Sequence, residues 1–186
     1  MNIVATISRF HPLMVHLPIG ILMIAFLFEI IKRFKRQSHL DEAINISLAV
    51  SLLSSVLAIT TGILLADEGG YNEDVVFNHK WMGISMTFVT FILLFIKKFK
   101  RNLDKKFSLP LFVISTILLS ITGHYGGSLT HGEDFLFPEV EAIAEPIKDI
   151  NTALTYKTVI KPILEEKCIS CHNSGKIKGD LIMTDH

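Results

Sequence analysis

The chain has 186 residues, 49% of them hydrophobic, and its 18 Lys and Arg balance 18 Asp and Glu. Mean hydropathy is positive although the charges fall in tight clusters, which argues against a water-soluble domain and for an all-α membrane protein. No nucleic-acid partner is expected. No nucleophile–base pair, phosphate loop or carboxylate pair points to hydrolytic or group-transfer chemistry.

Four apolar runs follow in order: Leu13–Ile31, Ile44–Ala66, Trp81–Ile96 and Leu109–Gly123. The first two are long enough for a hydrocarbon layer of about 30 Å, and the last two reach that length with their flanks. The first run lacks a basic leading segment and a small-residue cleavage site, so it is read as a retained span. Asp41 and Glu42 suit the positive start of the second helix, and Ser108-Leu109-Pro110 reads as a cap with proline in the first turn of the fourth. Glu29 sits one turn before Lys32 and Arg33, and is read as a snorkelling or paired charge rather than a proton relay. Phe88, Phe91, Phe95 and Phe99 form a stripe read as lipid-facing or packing surface.

Charge sets the expected orientation. Lys32, Arg33, Lys35 and Arg36 follow the first run, and Lys97, Lys98, Lys100, Arg101, Lys105 and Lys106 follow the third. Asp67, Glu68, Glu73 and Asp74 lie between the second and third. The positive-inside rule makes both basic loops cytoplasmic and puts the N-terminus and the C-terminal segment outside, in the periplasm of a bacterial inner membrane.

His11, His16, His79, His124 and His131 all fall at the outer ends of the runs, whereas His39 lies in a polar loop near the opposite side. Histidine in membrane helices usually marks function. His16-Leu-Pro-Ile-Gly20-Ile-Leu-Met23 and His79-Lys-Trp-Met-Gly83-Ile-Ser-Met86 share H-x-x-x-G-I-x-M, and Thr61-Gly62 recurs as Thr122-Gly123. A duplicated helical hairpin is the expectation, with His16 and His79 at equivalent depth. Three readings stay open for these imidazoles: axial ligands to b-type haem, with His16 and His79 first and His124 next; a metal or quinone site; or hydrogen-bonded histidines beside an aromatic belt of Trp81, Tyr71 and Tyr125. His124 and His131 share a face only if the helix continues through Gly126 and Gly127. His11 and His16 are about 140° apart on a regular helix, which Pro12 and Pro18 disturb.

Beyond the fourth run the chain turns polar. Residues 132–152 read as an acidic periplasmic linker carrying Glu133, Asp134, Glu139, Glu141, Glu145 and Asp149, after a transmembrane domain at 1–131. Within 153–186, Val159, Ile160, Ile163 and Leu164 mark one stripe of a short helix that delivers Cys168. Cys168-Ile-Ser-Cys171-His172 then uses both cysteines in the C-x-x-C-H pattern of covalent haem attachment. The thiols of Cys168 and Cys171 add across the haem vinyl groups, and the imidazole of His172 becomes the proximal iron ligand. A thioredoxin-like pair would want a βαβ context, and a structural zinc site more Cys or His nearby. Met183 follows too closely to be the expected distal ligand. The fourteen residues after His172 are too few to wrap a haem, so the segment reads as the beginning of a longer cytochrome or as a truncated one.

Phe10-His-Pro-Leu-Met-Val-His-Leu-Pro-Ile-Gly20, Thr61-Gly62, Gly69-Gly70-Tyr71 and His79-Lys-Trp81-Met-Gly83 resemble the DUF2231 family of four-helix membrane domains. Ile160-Lys-Pro-Ile-Leu-Glu-Glu-Lys-Cys168-Ile-Ser-Cys171-His172-Asn, with Lys178-Gly179-Asp-Leu181, is similar to the start of a planctomycete-type cytochrome c domain. The first resemblance implies a four-helix membrane topology. The second implies haem c and electron transfer at the outer membrane surface. Together they lead to the expectation of a membrane-bound electron carrier with haem c, haem b being the further cofactor considered. Membrane lipid, redox proteins and quinone are the partners in view. The alternatives are an anchor or docking module for an extracytoplasmic haem domain or a partner complex, and a quinol-oxidising subunit.

Overall fold

The computed structural model describes residues 3–35, 39–132, 136, 156–169, 172–173, 176–177 and 181–184. Six helices come first: α1 (Ile3–Ser8), α2 (His11–Met14), α3 (His16–Lys35), α4 (Leu40–Ala66), α5 (Glu73–Phe99) and α6 (Arg101–His131). Among the described residues four stretches are long and apolar enough to cross a membrane: Ile3–Lys35, which takes in α1 to α3, then Leu40–Ala66, Glu73–Phe99 and Asn102–His131. The all-helical, four-span expectation holds.

The helix ends have local causes. Asn72 caps α5, its side-chain Oδ1 accepting the N–H of Asp74 at 3.0 Å and of Val75 at 3.2 Å. Gly69 and Gly70 follow α4 with φ of 77° and 79°, a left-handed turn that glycine adopts without steric cost. One sequence expectation is overturned here. The fourth long helix begins at Arg101, not at Ser108-Leu109-Pro110, and Pro110 lies inside α6. Lys100 O already accepts the N–H groups of Leu103 (2.8 Å) and Asp104 (3.0 Å), so the first turn closes two turns before the proline. Pro110 removes one ladder bond, a defect that membrane helices tolerate when their neighbours support them. Ser108 is not a cap but a buried hydroxyl facing another helix. In the same way α6 runs unbroken through Gly126 and Gly127, where Thr130 Oγ1 donates back to the carbonyls of both.

Residues 1–69 and 77–124 form one compact unit. Its core is Leu22 and Ala25 from α3, Ile44 and Leu48 from α4, Met86 and Leu93 from α5, and Phe112 from α6. Phe26 stacks on Phe112 at 5.5 Å. On α4 the buried positions Ile44, Leu48, Ser51, Ser55 and Ala58 recur at three- and four-residue spacing, and most are small. Small residues let helix backbones approach where lipid removes the hydrophobic drive for helices to associate. Large apolar side chains face outward instead: Leu53, Phe88, Phe91, Phe95 and Phe99 are all exposed, which makes the phenylalanine stripe a lipid-facing surface.

One end of this unit is closed by charge. Glu29 on α3 accepts from Arg33 Nε (2.9 Å), Lys97 Nζ (2.8 Å) and Ser108 Oγ (2.7 Å). Lys97 also donates to Asp104 at 3.1 Å, and Lys32 pairs with Asp41 at 2.5 Å. Three carboxylates and three cations thus join all four spans, and the side chains of Glu29 and Lys97 are each only 1% exposed. Glu29 is a paired charge, as expected from its neighbours. Lys97, read from the sequence as part of a basic loop, lies inside α5 and is buried.

The second unit comprises residues 70–76 and 125–186. Among its described residues a π-helical turn (Tyr156–Ile160) leads into α7 (Lys161–Lys167), followed by a two-residue antiparallel ladder of β1 (His172–Asn173) and β2 (Lys176–Ile177). The short helix ahead of Cys168 is therefore present, with Pro162 in its first turn, where a missing N–H does no harm. Most of the acidic linker at 132–152 lies outside the described residues, as do Cys171 and Gly179.

Candidate functional site

At the end of the helical unit away from the ion pairs, two imidazoles meet. His11 is the first residue of α2, and its Nδ1 donates to Ala58 O on α4 at 2.9 Å, with Thr61 Oγ1 at 3.4 Å. His79 on α5 makes the corresponding bond one hairpin later, its Nδ1 donating to Thr122 O on α6 at 3.0 Å. A carbonyl only accepts, so the proton of each neutral ring is fixed on Nδ1 and the lone pair on Nε2. The rings stand 6.1 Å apart between centroids, at an interplanar angle of 88°.

The Thr-Gly pairs picked out by their repetition mark these contacts: Gly62 lies against the His11 ring, and Thr122 meets His79 through its carbonyl. A Cβ on Gly62 would fall 2.7 Å from His11 Cε1, a distance real side chains essentially never show. Glycine is what lets the imidazole lie on the α4 backbone. Thr61 Oγ1 donates to the carbonyls of Leu57 and Ala58, both at 3.0 Å, and Thr122 Oγ1 to Leu118 O at 2.7 Å. The two acceptor turns are thereby tied down within their own helices.

The remaining histidines are placed differently. His16 is exposed at the start of α3, its Nδ1 donating to Pro12 O at 2.6 Å within its own turn. His124 and His131 are exposed on α6, with His131 Nδ1 2.7 Å from Thr130 Oγ1, and His39 is exposed just before α4. The ring that meets His79 is thus His11, not His16. The cause is local: α2 ends at Met14 and α3 starts at His16, so His11 is carried on a separate short helix with Pro12 in its first turn. A signal for this was present in the sequence, since His11-Pro-Leu-Met14 and His79-Lys-Trp-Met82 share H-x-x-M in a register five residues from the one first noticed.

In the second unit, Cys168 follows α7 directly, its N–H donating to Leu164 O at 2.9 Å. The N–H of His172 donates back to Cys168 O (3.0 Å) and to Ile169 O (3.2 Å), closing Cys168 to His172 into one turn. Asn173 Nδ2 donates to Ile169 O at 2.8 Å, and Met183 N–H to His172 O at 2.9 Å. Cys168 is half-buried, and His172 Nδ1 is enclosed without a hydrogen-bond partner. Leaving such an atom unmet costs about 1–3 kcal/mol. The residues present fit an attached haem in one respect: the backbone N–H of His172 bonds back to the carbonyl of Cys168, which keeps thiol and imidazole close together. Cys171 lies outside the described residues.

Comparison with known families matches residues 8–133 to DUF2231, described as a predicted membrane protein. The match takes in α2 to α6 and therefore both histidine hairpins; it stops before Cys168. No curated protein and no solved structure matches the chain. No match supports a cytochrome c domain in the segment after the bundle.

Proposed function

The chain belongs to the DUF2231 family of predicted membrane proteins, and from that premise we propose that its four spans anchor a covalently bound c-type haem that passes single electrons at the membrane surface. The observation that carries this reading is the turn in which His172 N–H bonds back to Cys168 O inside a C-x-x-C-H sequence. Cys168 and Cys171 hold the haem as thioethers, and His172 is its proximal ligand. When bound, the haem iron supplies one-electron redox chemistry. The protein's own part is to hold the His172 backbone close to Cys168 by its N–H bonds to Cys168 O and Ile169 O, and to tether the segment to the bilayer. The basic residues that follow the first and third of the four spans among the described residues support a periplasmic position for the segment in a bacterial inner membrane. Electrons would come from a membrane donor and go to a periplasmic acceptor protein.

The test is haem retained through denaturing electrophoresis. The full chain, expressed with a haem-attachment system, is expected to stain for haem, and the double variant Cys168→Ala, Cys171→Ala to lose all stain. Stain persisting in that variant would refute the thioether assignment, as would its absence from the unaltered chain. In the latter case the bundle would stand as an anchor or docking module alone.

A further inference from the structure

The ionised groups of the α3–α6 cluster are mutually paired, whereas the histidine end holds two oriented rings with an unengaged nitrogen each. Neither His11 Nε2 nor His79 Nε2 takes part in a hydrogen bond among the described residues. We infer that His11 and His79 are the axial ligand pair of a second, non-covalently held haem within the bundle, in place of the His16–His79 pairing that the repeat suggested.

Three observations converge on this ligand class. Each ring donates Nδ1–H to a backbone carbonyl, the outer-shell bond that metal-ligating histidines almost always make, because it fixes the tautomer and raises the basicity of Nε2. The spacing fits as well. Two imidazoles bound through Nε2 on opposite sides of one metal, with bonds of about 2 Å, have ring centroids about 6 Å apart; these stand 6.1 Å apart. The donor number completes the argument. Among the described residues no group of three or more His, Cys, Asp or Glu converges on one point. A bare zinc ion would want three or four protein donors, whereas a porphyrin brings four nitrogens and needs only the axial two. The two ligands come from α2 and α5, each tied to the helix that follows in its own hairpin, as in bundle cofactor sites built from facing helices.

Gly62 lets the His11 ring lie directly on the α4 backbone, and a side chain on Gly123, next to the carbonyl that accepts from His79, would meet no neighbouring atom. His16 is exposed and bonded to Pro12 O within its own turn, so its placement does not make it the axial partner of His79. The inference uses bundle residues alone and does not depend on the Cys168–His172 reading.

The experiment takes the full chain carrying Cys168→Ala and Cys171→Ala, purified in detergent and titrated with hemin. Expected are uptake of one hemin per chain, a six-coordinate low-spin spectrum, and the highly anisotropic low-spin EPR signal that near-perpendicular axial imidazoles produce. His11→Gly and His79→Gly, each added singly, should turn the spectrum high-spin and weaken binding on the order of tenfold or more. Free imidazole should then restore the low-spin state, which a merely misfolded bundle could not do. His16→Ala should change neither spectrum nor affinity. No stoichiometric uptake by the cysteine-free chain would overturn the inference, and so would an unchanged low-spin spectrum in either glycine variant. Haem stain on the cysteine-containing chain reads the covalent site separately, so the two proposals fail independently.

Discussion

The two ends of the helical unit use polar side chains in opposite ways. At the basic end, Glu29, Asp41 and Asp104 face Lys32, Arg33 and Lys97, and each charge is met by others. At the other end His11 and His79 use one nitrogen each to fix themselves to a neighbouring helix and leave the second nitrogen unengaged. A closed network resists change and ties helices together, since breaking any member strands a buried charge. A half-satisfied pair of oriented imidazoles is the arrangement expected of a ligand site. Polar residues in lipid are costly in both places, and the difference lies in whether the protein itself satisfies them.

This comparison can be broken or sharpened by substitution, with unfolding followed in detergent. The largest effect is expected at the basic end. Lys97→Met removes the most buried cation that Glu29 and Asp104 share, leaving only the more exposed Lys32 and Arg33, and should cost about 3–5 kcal/mol, read as a fall in Tm. Adding Glu29→Gln should recover part of that loss, because the stranded charge is removed with its partner. A double variant no better than Lys97→Met alone would mean that Lys97 acts through packing. A smaller loss, about 1–3 kcal/mol, is expected for Gly62→Ala, where the added methyl meets the His11 ring at 2.7 Å and the ring must move. An unchanged Tm there would mean that the ring yields freely, which would undercut its description as oriented. The smallest effect belongs to His16→Ala. The residue is exposed and bonded only within its own turn, so its replacement should lie within about 0.5 kcal/mol of the unaltered protein. A shift as large as that of Gly62→Ala would put His16 back into the site.

Much of the fold was legible along the chain. The four spans, the acidic start of α4, the pairing of Glu29 and the outward phenylalanines all rest on local composition and spacing. The start of α6 was less legible. Ser108-Leu109-Pro110 carries a plausible cap and a proline, yet the helix had already begun at Arg101 and Ser108 was drawn to Glu29. Tertiary demand for a hydroxyl beside a buried carboxylate outweighed the local signal. Lys97 misled for the same reason: next to Lys98 and Lys100 it looks like loop charge, and only the approach of Glu29 and Asp104 accounts for its burial.

The histidine site divides along the same line. The sequence by itself determined that imidazoles gather at the ends of the spans, that Thr-Gly pairs recur in both hairpins, and that Cys168, Cys171 and His172 stand in a C-x-x-C-H pattern, because each of these is a matter of residue order and hydropathy. Only the tertiary structure decided that His11 rather than His16 faces His79. That choice depends on how the short α2 helix is rotated and offset against α4, where a bare glycine admits the ring and a carbonyl fixes it. Hydropathy sets the depth of a side chain in the membrane, but the break at Val15 between two helices sets the direction in which it points.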